Sequence, residues 1–103
     1  MGHTGAVEMS LGQVYSTLTT LPASGTLSIQ PEAGKEAVIH NIYYSGSIEV
    51  YFTNGTLQVK IHSDDSYGDL QGYWHVTSDR YLQIVDKTGS GNTVGFDGVY
   101  TKV

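Results

Sequence analysis

The sequence predicts an all-β fold: a single jelly-roll-like antiparallel β-sandwich of about seven or eight strands with an extended N-terminal arm. Three observations point there. From about Thr26 onward, apolar and polar residues alternate in short runs; Gly, Asn, Asp and Ser punctuate those runs; and no stretch of that region carries a helical period. A length of 103 residues fits one domain and leaves no room for a second core. The expected organisation is an arm over 1–24 and a sandwich over 25–103.

Residues 26–30 make a short strand, and Pro31-Glu32-Ala33-Gly34-Lys35 supplies a turn. The next run, 36–44, is apolar on both faces, as suits an inner strand or one covered by a second subunit. Ile48, Val50 and Phe52 then alternate with polar residues, as do Leu57, Val59 and Ile61. Asn54-Gly55 between them favours a two-residue type I′ turn. Such a turn sets Phe52 opposite Leu57, Val50 opposite Val59 and Ile48 opposite Ile61, with all six on one face. Strands over 72–77 and 80–86 flank a tight turn at Ser78-Asp79, and a Gly89-Ser90-Gly91-Asn92 loop leads into a last strand over 93–102.

The first 24 residues are dominated by Gly, Ser, Thr and Ala, with apolar residues spaced too irregularly for a period, and they read as an extended arm that adds at most one or two strands. An arm with this many apolar residues needs cover, from its own sandwich or from a neighbouring subunit. Its candidate contact residues are Val7, Met9, Leu11, Val14 and Tyr15.

Only 15% of residues are charged, against about 25% in typical domains, and the net charge is −5. With five Lys plus Arg there is no basic face for phosphate or anionic lipid, so neither nucleic acid nor membrane is an expected partner. No cysteine is present, which removes disulfides and thiolate metal sites. The first ten residues lack a basic stretch followed by an apolar run, so no signal peptide is expected.

A search for catalytic groups yields little. His3, His40, His62 and His75 show no metal-ligand spacing, and His40, among Val38, Ile39 and Ile42, reads as an interior or interface histidine. The alternation places His62 on the wet face of its hairpin. Asp64, Asp65 and Asp69 enclose Ser66-Tyr67-Gly68, which suits a solvated turn better than a calcium loop. There is no G-x-S-x-G elbow and no phosphate-cradling Gly-rich motif. The expectation is a non-enzyme without cofactor. Tyr43, Tyr44, Tyr51, Tyr73 and Trp74 fall in predicted strands; they are the candidates for stacking a sugar, should the chain be a carbohydrate- or receptor-binding module of tail-fibre-tip type.

The stretch from Ser28 to Ile42, SIQPEAGKEAVIHNI, resembles a strand, Pro-x-x-Gly turn and strand of small structural proteins of tailed phages. Tyr81-Leu82-Gln83-Ile84 and Gly95-Phe96-Asp97-Gly98-Val99 are similar to the closing strands of the same proteins, so the resemblance spans about 26–101. It implies a β-sandwich capsid decoration, or cement, protein on the outer surface of the virion. The implied partners are the major capsid protein and the chain itself, as a homotrimer, after synthesis in the host cytoplasm. A tail or neck adaptor is the further alternative.

Overall fold

The computed structural model describes residues 12–103 and arranges them as eight strands in two four-stranded antiparallel sheets. In sheet A, β1 (Val14–Leu21), β8 (Asn92–Lys102), β3 (Glu36–Tyr44) and β6 (Gly68–Thr77) lie side by side in that order. In sheet B the order is β2 (Thr26–Ile29), β7 (Tyr81–Asp86), β4 (Ile48–Thr53) and β5 (Gln58–Asp64). The first strand pairs with the last, β2 with β7, β3 with β6 and β4 with β5. The chain is thus one long hairpin, rolled so that successive pairs fall in alternate sheets, which is the jelly-roll wrap.

The core lies between the sheets. Ile29, Ile39, Ile42, Ile48, Leu82 and Ile84 have no exposed surface, and each contributes about 1.5–3 kcal/mol by leaving water. The two-sided apolarity of β3 matches its place between β8 and β6. Between Ile39 and Asn41 the register shifts against both neighbours: His40 is the extra residue against β8, the extra residue lies on β6 against that strand, and Ile39 and Ile42, three apart, are both fully buried.

One expectation is filled in and another needs correction. Within the described residues, the arm segment supplies one of the one or two strands allowed for it: β1 runs beside β8 from Val14 opposite Val99 to Leu21 opposite Asn92. Its inward positions are Tyr15, Thr17, Thr19 and Leu21, so threonines hide the apolar period. The β4–β5 connection is also longer than a two-residue turn. The Asn54 side chain accepts hydrogen bonds from the N–H groups of Thr56 (2.9 Å) and Leu57 (2.8 Å), the Asn54 N–H donates to the Leu57 carbonyl at 3.2 Å, and Gly55 sits at φ +96°. Leu57 is drawn into the loop, Phe52 faces Val59, and a bulge then leaves Ile61 unpaired, so Val50 faces His62 and Ile48 faces Asp64. The six apolar residues therefore do not share one face.

Candidate binding face

The outer face of sheet A is laid out by its pairings. Val14, Val99, Val38 and His75 stand in one row across the strands, Ser16, Asp97 and Asn41 in the next, and Leu18, Gly95 and Tyr43 in a third. Several of its apolar side chains are left in water: Val14 is 66% exposed, Leu18 74% and Tyr73 73%. Between them lies a shallow depression lined by Val14, His40, Asn41, Asp97, Gly98 and Val99. Glycine at 98 is required by the close approach of β3, because a Cβ there would collide with the Val38 carbonyl oxygen.

Asp97 is the carboxylate of this depression, and both its oxygens are held. Asn41 Nδ2 donates to Oδ1 at 2.8 Å, and the Tyr43 hydroxyl donates to Oδ2 at 2.6 Å. Those bonds, with the neighbouring His40 adding to them, hold the carboxyl below its usual range; in return, the Tyr43 hydroxyl is raised. Beside it the His40 and Tyr73 rings meet edge to face, with centroids 5.7 Å apart. At one end, His75 Nε2 lies 2.8 Å from Glu36 Oε1.

A second apolar surface lies on sheet B. Phe52, Leu57, Val59 and Arg80 line an open groove at the β4–β5 loop, where Leu57 is 71% exposed and Val59 57%. Further along β5 the inward positions are polar. The buried Tyr44 hydroxyl donates to Asp64 Oδ2 at 2.7 Å and lies 3.2 Å from His62 Nε2, joining the two sheets, so His62 faces the interior rather than the wet side. Burial, together with Asp64, raises the Tyr44 hydroxyl to about 12.

The opposite end of the sandwich is tied by buried polar groups. Asp86 accepts hydrogen bonds from the Thr88 hydroxyl (2.7 Å) and N–H (3.0 Å), the Ser24 N–H (3.0 Å) and Asn92 Nδ2 (3.2 Å). Asn92 also receives the Ser45 hydroxyl at 2.9 Å and donates to the Ser47 carbonyl at 3.0 Å. Three interstrand loops are thereby joined, and the donors, led by Thr88, hold the Asp86 carboxyl far below its ordinary range. Among the described residues no buried side-chain nitrogen or oxygen is left without a partner.

Of the sequence-derived contact residues, Val14 lies on the outer face of sheet A, while Val7, Met9 and Leu11 fall outside the described residues. Tyr15 points the other way, into the core, with its ring 4.9 Å from that of Phe96 and 4.8 Å from that of Tyr100. Burial, with the neighbouring Tyr100, raises its hydroxyl to about 12. The five stacking candidates do not share a surface. Tyr43 and Tyr73 stand on the outer face of sheet A, Tyr44 is buried and Trp74 packs partly against the core. Tyr51, on sheet B, donates its hydroxyl to Glu49 at 2.6 Å. Asp97, Asn41 and Leu18 were not singled out by the sequence. The available signal was an acid set between glycines in an otherwise apolar strand, Gly95-Phe96-Asp97-Gly98-Val99.

No family model matches the chain, and no curated protein matches it. Among solved structures, the chain is similar to the Drosophila NLP-core, whose crystal structure is described as giving insight into pentamer formation and histone binding. The two are 17% identical with a TM-score of 0.49, and the match covers 84% of this chain and 98% of that one.

Proposed function

We propose that this chain is a noncatalytic assembly protein, a cement or decoration protein of a tailed-phage virion that binds the outer capsid surface and stabilises the shell. The observation that carries the reading is a pair of separate apolar surfaces on one small domain. Val14 and Leu18 are exposed on sheet A, Leu57 and Val59 on sheet B. A domain that bridges neighbours needs two such surfaces, whereas a receptor for one small ligand needs a single concave site. The partners of this reading are the major capsid protein and further copies of the chain, the homotrimer being the form the sequence resemblance implies. Weak charge suits such contacts, because few ions need desolvating, and repetition over many identical sites multiplies modest affinity. The sugar-binding alternative draws less support, since its aromatic candidates are divided between outer face, interior and opposite sheet.

The test is the copy number of the chain in purified particles from its source, measured by quantitative mass spectrometry against the major capsid protein. A number comparable to that of the capsid protein is expected. A handful would place the chain at a tail or vertex, and none would overturn the reading. Removing residues 1–24 cannot probe the arm, because that cut takes β1 with it; removal of 1–11 leaves every described strand in place and should weaken attachment if Val7, Met9 and Leu11 make contacts.

A further inference from the structure

We infer that the outer face of sheet A is a seat for an arginine side chain presented by a partner protein, with Asp97 as the anionic anchor. This inference deepens the assembly reading and rests on it for the identity of the face.

The charges argue first. Each lysine lies within 4.0 Å of a glutamate: Lys35 near Glu32, Lys60 and Lys87 near Glu49, and Lys102 near Glu36. Among the described residues no aspartate forms an ion pair with lysine or arginine, and Arg80 lines the groove on sheet B. The half-buried Asp97 therefore has no lysine or arginine partner: its oxygens accept from Asn41 and Tyr43, and the titratable groups nearby are His40, which favours the carboxylate, and Asp69. A protein of net charge −5 with a carboxylate that no lysine or arginine pairs, set beside Val14 and Val99, is complementary to a cationic group with an apolar stem.

The geometry then selects among cations. A divalent metal wants six or more oxygens, and the described residues bring no three His, Asp or Glu together as ligands. A side-chain cation needs less. Each oxygen of Asp97 accepts one hydrogen bond within the protein and keeps a second lone pair free. A guanidinium can bond both oxygens at once and stack on an aromatic ring, and Tyr43 and Tyr73 stand on the same face, 39% and 73% exposed. Val14 and Val99, in the lining of the depression, offer an apolar wall to the methylene stem. Because Asn41 and Tyr43 already fix the carboxylate, little rotamer entropy is lost when the arginine arrives.

The experiment is a titration of the full chain with acetyl-Gly-Arg-Gly-amide, followed by ¹H–¹⁵N NMR, alongside its citrulline counterpart, which keeps the shape and lacks the charge. The arginine peptide should move the amide signals of Asn41, Tyr43, Asp97 and Val99, the citrulline peptide should leave them still, and Asp97→Asn should weaken binding at least about tenfold. Tyr73→Ala, at a highly exposed position where folding is not at stake, should weaken it about threefold. Equal response to citrulline, full binding by Asp97→Asn, or shifts confined to other surfaces would overturn the seat. Attachment to particles separates the two readings. Abundant protein on particles with unimpaired attachment of Asp97→Asn sinks the seat and leaves the cement role, whereas an intact arginine response with no protein on particles sinks the cement role alone.

Discussion

Two sides of this sandwich carry the same kind of sequence and meet different fates. Where β8 and β3 face β7 and β4, alternation and burial agree: Leu82 and Ile84 on β7, like Ile48 and Val50 on β4, have no exposed surface. Along the edge strand β5, Val59 and Ile61 alternate just as cleanly, yet they are 57% and 38% exposed, and Leu57 in the preceding loop is 71% exposed. A period of two reports which way a side chain points. It does not report whether a second layer covers it. On the closed side both layers are present, whereas at the edge the inward positions beyond Val59 go to His62 and Asp64, which hydrogen-bond Tyr44 instead of packing on it.

The contrast is broken most severely at Gly98. Its Cβ would meet the Val38 carbonyl oxygen and lie 2.8 Å from Ile39 Cα, both backbone atoms of the central strand β3. Neither can rotate away, so Gly98→Ala has to push β3 and β8 apart and should cost at least about 3 kcal/mol. The urea midpoint of unfolding measures this. A loss below about 1 kcal/mol would mean that the closed side yields as readily as the open edge.

Acid probes the next level, the polar tie that closes one end. The Asp86 carboxyl is depressed in the folded state, so the unfolded chain takes up its proton first as pH falls. Its stabilising contribution is therefore complete above the unfolded value of about 3.9 and is lost progressively as pH drops below that toward the folded one. Asp86→Asn replaces an acceptor facing four donor contacts with an amide that must turn a donor toward some of them. The expected result is a lower melting temperature at pH about 7 and a shallower further loss between about pH 4 and pH 2 than in the parent. An unchanged acid slope would assign acid sensitivity to Asp64, Asp97, Glu32 and Glu49, whose carboxyls are also lowered.

The fold class was legible because its signals are local. Turn residues and two-residue alternation marked seven strands, whereas the pairing of the first strand with the last is read only from the structure. What escaped depends on side chains acting through space. The Asn54 amide turned a short turn into a longer loop, and a bulge at Ile61 then shifted the register of the rest of β5 by one residue more. Inward threonines concealed β1, whose apolar Val14 and Leu18 point to solvent instead. Of the candidate face, the sequence supplied Val14, Tyr43 and Tyr73 but not what gathers them. Asp97 reaches Asn41 and Tyr43 only because β8 lies beside β3, a pairing of residues 56 and 54 apart in sequence.

The smallest expected effect is the sharpest test of the contrast. Val59→Ser removes an apolar side chain that is more than half exposed on an edge strand, so in an isolated chain it should change unfolding stability by no more than about 0.5 kcal/mol. The measurement is urea unfolding at two protein concentrations about a hundredfold apart. If the surface around Val59 is open in solution, parent and variant stay close at both. If copies of the chain cover it, the parent gains stability with concentration and the variant does not, because only the associated state contains the lost contact. The difference between Val59 and Ile84 would then lie in where the covering layer comes from, a neighbouring copy in one case and the chain's own second sheet in the other.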